Sequence, residues 1–264
     1  MDRQTDIRDL ILLESDKYTF AVLKKILNYS CRLTMTDHER LIICHSEDPF
    51  PVWIWTPNDA TLEEKERAWD AVMQACPIMD GYRYNLKYDL AEFFISKAKE
   101  QGMNMAITTN MFAYDCPNPL APENTAVGHI HLCTFDDLKE AAEIIKMFHE
   151  ELDIDRSDDE KYQSMAKEFI KGSHLFFWKD NFNQTVACCS YMPNDDLASV
   201  RGVYTLPEHR RKHYAENLVY QVTKIIESTG AMPMLYTDAD YVASNACYEK
   251  IGYVLRGKLC TIRA

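Results

Sequence analysis

Val203-Tyr-Thr-Leu-Pro-Glu-His-Arg-Arg-Lys-His-Tyr-Ala215 is the stretch on which the reading of this chain turns. Its first residues close a β-rich run over 197–205, Pro207 ends that run, and from Tyr214 an amphipathic pattern carries a helix to about Thr229. A helix start leaves backbone N–H groups unpaired and carries the positive end of the helix dipole. Arg210, Arg211 and Lys212 add three charges at that point, so the junction is an anion site that would fit a diphosphate. Three basic residues alone also describe a solvated turn. The surrounding elements decide between the two.

Upstream, His174 to Lys179, Thr185 to Met192 and Leu197 to Thr205 form three β-rich runs joined by the turn-like Asp180-Asn-Phe-Asn183 and Pro193-Asn-Asp-Asp196, an antiparallel meander. Before it, a strand over 128–135 is followed by helices over about 135–152, with Asp136 or Asp137 as cap, and 158–171. Downstream come a strand over 234–237, a helix over 244–251 and a last β run over 253–262. The Pro-rich Asp115-Cys-Pro-Asn-Pro-Leu-Ala-Pro-Glu-Asn124 reads as an extended linker and places a domain boundary between residues 1–122 and 123–264. In the first half, β runs at 40–45 and 51–56, a helix opened by the capping box Thr61-Leu-Glu-Glu64, a helix over 90–101 and a strand over 103–112 give an α+β module. It contains no Gly-rich phosphate loop, metal-spaced set or nucleophile elbow. Its element order suggests a degenerate copy of the second half.

The chain has 264 residues, 47% apolar and 27% charged, enough for two packed domains and outside the range of disordered sequences. Lys and Arg total 29 against 41 Asp and Glu, and a net charge of -12 argues against nucleic acid as a partner. The N-terminal 16 residues are too charged for an export signal, and no apolar run approaches a membrane span. Nine cysteines without a CxxC pair read as reduced thiols of a cytoplasmic protein.

The quoted junction resembles the GNAT family of acyl-CoA-dependent N-acetyltransferases, whose signature is a strand, a proline and then Gln/Arg-x-x-Gly-x-Gly/Ala. A second match follows about 30 residues on: Ser244-Asn-Ala-Cys-Tyr-Glu-Lys-Ile-Gly-Tyr253 is similar to the family element Asn-x-x-Ser-Asn-x-x-Tyr-x-Lys-x-Gly-Phe/Tyr. The resemblance spans residues ~128–262. It implies a mixed α/β sheet flanked by helices with acetyl-CoA bound between splayed central strands, and direct acetyl transfer to a primary amine in a ternary complex without a metal. It further implies that the loop Arg210, Arg211, Lys212, His213, Tyr214 and Ala215 grips the CoA diphosphate. The backbone of Val203, Tyr204 and Thr205 would pair with the pantetheine, and Asn245 would contact the cofactor. Tyr248 becomes the general acid that protonates the departing thiolate.

Two departures stand out. His213 occupies the position of the family glycine, which matters if the backbone there needs φ > 0, and Tyr241 replaces the earlier family Asn. The 198–205 strand also lacks an acidic residue, so Glu208, Asp238 and Asp240 remain as alternatives to a water chain for taking the amine proton, and no base is assigned. The acceptor is a small-molecule or protein amine. The acidic run Glu150, Glu151, Asp153, Asp155, Asp158, Asp159 and Glu160 borders the acceptor side in the family; it reads either as solvated surface or as an attractor for a cationic amine. Two rival functions are an acyl-CoA-binding or sensing protein that works through a protein partner, and an interaction protein whose first half docks the partner. His129 and His131 share one strand face but lack a third ligand, and Cys188 and Cys189 sit in an apolar run as buried thiols.

Overall fold

The computed structural model describes residues 1–29, 31–78, 81–152 and 157–264; Asp153 and Asp155 of the acidic run lie outside them. The chain forms two compact units. One comprises Met1–Ala113 with Thr237–Tyr241 and Leu255–Ala264, the other Tyr114–Tyr236 with Val242–Val254. These units differ from a single cut at 122/123, because the last strand of the chain is built into the first unit and the Pro-rich segment is docked on the second. Within the second unit Cys116 N–H donates to Pro233 O (2.9 Å), Leu120 N–H to Ile251 O (2.7 Å), and Asn217 Nδ2 to Asn124 O (2.8 Å). The prolines stop regular structure, but the remaining amides still need partners and find them on the neighbouring core.

In the first unit, strands β1 (Leu33–Thr36), β2 (Ile42–His45) and β3 (Val52–Trp55) form an antiparallel meander. Helix α3 (Leu62–Ala75) then crosses to β4 (Tyr84–Leu86), parallel to β3, and α4 (Tyr88–Glu100) leads to β5 (Ala106–Asp115). The C-terminal β11 (Val254–Arg263) pairs antiparallel with β4, giving the order β1-β2-β3-β4-β11-β5. Thr61 caps α3 through the reciprocal box with Glu64, as its sequence predicts. Trp69 of α3 and Phe94 of α4 meet edge to face at 5.2 Å in the core, where each buried ring contributes on the order of 2–3 kcal/mol. Helices α1 (Ile7–Leu12) and α2 (Ala21–Leu27) precede β1.

The second unit repeats this order. Strand β6 (His129–Leu132), α5 (Leu138–Glu151) and α6 (Asp159–Lys171) lead into the meander β7 (Leu175–Lys179), β8 (Thr185–Asn194) and β9 (Leu197–Thr205). Helix α7 (Tyr214–Ser228) crosses to β10 (Met232–Asp238), parallel to β9, and α8 (Val242–Lys250) leads to β11. The sheet order is β10-β9-β8-β7-β6. Both halves therefore carry a three-stranded meander, a crossover helix, a parallel strand, a second helix and a strand. Asp158, expected as the first residue of its helix, is instead the cap of α6, and the cap before α5 is Thr134, which forms the box with Asp137. Among the described residues no helix is long and apolar enough to cross a membrane.

Candidate functional site

β9 and β10 pair in parallel over only four positions, from Leu197↔Met232 to Val200↔Leu235. Beyond them β9 stays paired with β8 as far as Thr205↔Ala187, so from Arg201 to Thr205 its other edge has no ladder partner among the described residues. The split has a local cause. Ser190 opposes Arg201 and Cys188 opposes Tyr204, so Gly202 and Val203 together face Cys189 in a β-bulge, with Gly202 at φ 56. A glycine with positive φ is what such a bulge requires, and the bulged strand bends away from its neighbour. The exposed backbone of Val203, Tyr204 and Thr205 is a template for an extended ligand.

The loop that follows is wound tightly. After a 3-10 turn at Pro207–His209, Arg211 (φ 61) and His213 (φ 62, ψ 12) both adopt the left-handed conformation. The position where the family carries glycine does use positive φ, and histidine occupies it at a cost of about 1–2 kcal/mol. His213 is the N-cap of α7 and makes no side-chain cap hydrogen bond, so the first-turn amides at Tyr214 and Ala215 have no side-chain acceptor from it. Its Nδ1 lies 3.0 Å from Glu216 Oε2, while its carbonyl accepts from Asn217 N (3.1 Å) and Nδ2 (3.0 Å). Arg211 and Lys212 are exposed, and Lys212 Nζ reaches only the Glu208 carbonyl at 3.4 Å.

Arg210, expected as a third charge facing the anion, is turned elsewhere. Its Nη2 contacts both Glu151 carboxylate oxygens (2.7 and 2.6 Å), its Nε donates to Thr205 O (3.1 Å), and its guanidinium lies 5.6 Å from the Tyr204 ring centroid. Tyr204 Oη donates to the same Glu151 at 2.9 Å. Arg210 holds Glu151 below the usual carboxylate range, while burial and that carboxylate push the Tyr204 phenol up to about 12. Arg210 thus buckles the end of β9 to the end of α5. Two further acids of the run are engaged: Asp158 caps α6 and Asp159 pairs with Lys146 at 2.8 Å.

Tyr248 is buried on α8 except at its tip, with its ring 6.0 Å from that of Tyr253. Its hydroxyl has no hydrogen bond to the described residues and is not enclosed. Burial raises this phenol well above its ordinary value, so it keeps its proton throughout the neutral range. Asn245, one turn earlier, is also buried. Gly252 closes the helix at φ 100, where an added Cβ would lie 2.5 Å from Asn118 O.

Other groups singled out in the sequence have structural partners. His131 Nε2 bonds Asp137 Oδ2 at 2.9 Å and stacks on Phe177. Burial pushes the Cys188 thiol up to about 12 and the Cys189 thiol well above its ordinary value, as befits inert sulfur. Glu208 is exposed beside His209, while Asp238 and Asp240 belong to the first unit. Asp6, Asp9 and His38 form the one grouping with metal-like proximity among the described residues. Asp9 is fully occupied there, accepting from Thr36 Oγ1 (2.5 Å), Asp6 N (2.9 Å) and the His38 ring (2.9 Å).

Sequence reasoning missed two parts of the site. Glu151 was merged into an acidic run, although it is the acid that removes Arg210 from the loop. In sequence Arg201 is one more residue of the 197–205 β run. Gly202 was the available signal, since an isolated glycine in a strand pattern marks a bulge and directs attention to its neighbour.

With this geometry in hand, comparison with known proteins is specific. Residues 138–253 match the model of the acetyltransferase (GNAT) family. No curated protein sequence matches the chain. Similar solved structures include a GCN5-related N-acetyltransferase from Kribbella flavida, with TM-score 0.64, 16% identity, and 94% of this chain and 95% of that chain covered. Another, from Sphaerobacter thermophilus, has TM-score 0.63 and 12% identity, with 100% and 95% covered. A GNAT-family acetyltransferase from Colwellia psychrerythraea has TM-score 0.62 and 11% identity, with 99% and 97% covered. At these identities the likeness is one of fold, and it takes in both units. The split strands, the tight basic loop and the family match together identify residues 138–253 as a domain of the acetyltransferase (GNAT) family, whose chemistry is acyl transfer.

Proposed function

We propose that the protein is an N-acetyltransferase that moves the acetyl group of acetyl-CoA to a primary amine by direct attack in a ternary complex. The observation that carries this reading is the pairing of an open β9 edge with an α7 N-terminus whose cap residue makes no side-chain hydrogen bond. The diphosphate would take the amides of Tyr214 and Ala215 with Arg211 and Lys212 as counter-charges, while the pantetheine arm lies along Val203–Thr205. The neutral amine nitrogen attacks the thioester carbon, the tetrahedral adduct collapses with cleavage of the C–S bond, and the thiolate leaves. Tyr248, protonated at working pH, supplies the proton to that sulfur; the amine proton passes to water. Asn245, buried one turn before Tyr248, supports the same end of the cofactor.

Two measurements test this. Acetyl-CoA at 100 times its Kd should stabilise the protein by ~2.7 kcal/mol, and Arg211→Ala/Lys212→Ala should lose most of the resulting Tm shift. Turnover of an amine panel should fall roughly 100-fold or more in Tyr248→Phe while the acetyl-CoA shift persists. Absence of any shift at millimolar acetyl-CoA would sink the proposal; an unchanged rate in Tyr248→Phe would remove that tyrosine from the mechanism.

A further inference from the structure

Arg201 is a cation with no counter-ion. Among the described residues it has no salt bridge and no side-chain hydrogen bond, whereas Arg210, Lys146 and Lys224 of the same unit each hold a carboxylate. The side chain is exposed, and desolvation by the atoms around it pulls its guanidinium below the ordinary arginine value, with Tyr236 opposing. A chain of net charge -12 has carboxylates in excess, yet among the described residues none pairs with Arg201.

Its position gives the omission meaning. Arg201 is the first residue of β9 past the last pair with β10, Val200↔Leu235, and therefore sits at the vertex of the split. Opposed residues of antiparallel strands share a face, so the pairs Cys188↔Tyr204 and Ser190↔Arg201 put Arg201 on the side of the sheet where Cys188 and Tyr204 pack in the α5–α6 core. Its cross-strand neighbour is a small serine, whose Oγ donates to the Arg201 carbonyl at 3.2 Å. From Thr205 back to Arg201 an extended strand covers roughly 13 Å. A cofactor arm entering from the α7 loop and running along this edge ends its thiol at the vertex, next to Arg201.

Neither the pantetheine arm nor an acetyl group is charged. The geometry points to Arg201 as the binding site for the carboxylate of the acceptor, which makes that acceptor an amino acid presenting its amine to the thioester while its carboxylate rests on the guanidinium. The assignment rests on the acetyl-CoA reading above. A planar fork suits a carboxylate through two parallel hydrogen bonds, and the same charge disfavours polyamines at this point.

The test uses the full-length protein and matched acceptors: glycine against glycinamide, and phenylalanine against phenethylamine, each with saturating acetyl-CoA. The acids should be preferred at least ~10-fold in kcat/KM. Arg201→Gln should raise their KM roughly 10- to 100-fold and leave the amides and the acetyl-CoA thermal shift unchanged, while Arg201→Lys should recover part of the loss. As a readout independent of turnover, glycine or phenylalanine should further stabilise the CoA-bound wild type but not Arg201→Gln. Equal use of acids and amides, an unchanged KM in Arg201→Gln, or no stabilisation by either acid would overturn the inference while the acetyl-CoA shift stands. A preference for succinyl-CoA over acetyl-CoA that Arg201→Gln abolishes would put the carboxylate on the acyl group and equally overturn it. Failure of the acetyl-CoA shift itself would refute the underlying reading and this one with it.

Discussion

The β3–α3 and β9–α7 junctions occupy the same place in the order of their two units, each running from the third strand of a meander into a crossover helix, yet they are built from opposite chemistry. At the first, Thr61 and Glu64 satisfy the helix amides reciprocally, Glu63 and Glu64 put negative charge on the first turn, and Arg40 is held by Glu64 and Asp59. Trp55, at the end of β3, donates to Asp16 (2.8 Å), which also takes Lys87 (2.6 Å). The cap amides and the cations at that junction therefore have internal partners. At the second, the cap residue is a left-handed histidine without a capping hydrogen bond, and two exposed cations stand over the first turn. A helix start that satisfies itself stabilises a fold; one left open is available to an anion. On the proposed reading the same topology serves once as scaffold and once as site.

Reversing charge at the two junctions is the strongest way to break this comparison. Arg211→Glu/Lys212→Glu should weaken acetyl-CoA binding roughly 10- to 100-fold by calorimetry at low salt, with the loss shrinking in 0.5 M NaCl as screening shortens the reach of the charges. Removing the acids of the other junction, Glu63→Gln with Asp59→Asn, should leave that affinity within about 2-fold, since on the proposed reading the cofactor binds the second unit alone. A large effect from the second pair would mean that the first unit participates in cofactor binding.

What could be read beforehand follows from where the information was local. α3 was legible to within a residue at its start because Thr61 announces a cap, and β9 because its turn residues and Pro207 bracket it. α1, α2, β1 and the three-residue β4 were not, because six to seven residues give too little periodicity, and α1 leaves Ile7 and Ile11 exposed. The same holds at the site. The loop sequence declares an anion site, and the glycine position taken by His213 predicts the positive φ that is found. That Arg210 would turn to Glu151, 59 residues away, depends on where α5 ends, and the isolation of Arg201 depends on what fails to reach it. Such facts are properties of the fold rather than of any window of sequence.

A finer comparison concerns the two caps. Thr61→Ala should destabilise the protein by about 1 kcal/mol in urea unfolding, the ordinary worth of a cap hydrogen bond. His213→Gly should act in the other direction, stabilising by about 1 kcal/mol as the left-handed strain is relieved against a modest rise in unfolded-state entropy. Acetyl-CoA affinity should be retained in both. If His213→Gly instead lowers stability, the bond from His213 Nδ1 to Glu216 outweighs the strain, and the loop is held by its histidine rather than in spite of it.

The smallest expected effect separates the units by pH. His38 is the first unit's left-handed histidine (φ 59), and like His213 it faces acid, but its ring is enclosed: Nδ1 meets Asp9 at 2.9 Å and Nε2 meets Asp2 at 2.8 Å, with Asp6 at 3.8 Å and the Arg8 cation nearby. Burial would lower its pKa, but the bonds to Asp2 and Asp9 and the charge of Asp9 outweigh both burial and Arg8, leaving it raised above 6.5. A group whose folded pKa is raised contributes fully below its unfolded value and loses that contribution as pH climbs through the folded one. The stability difference between wild type and His38→Asn, which tolerates the left-handed backbone, should therefore be largest below about pH 6.5 and fade at higher pH. The His38 ring should titrate above 6.5 by NMR. A difference that grows with pH would mean that the ring is held neutral, and that the Asp2, Asp6 and Asp9 cluster is organised by Arg8 instead.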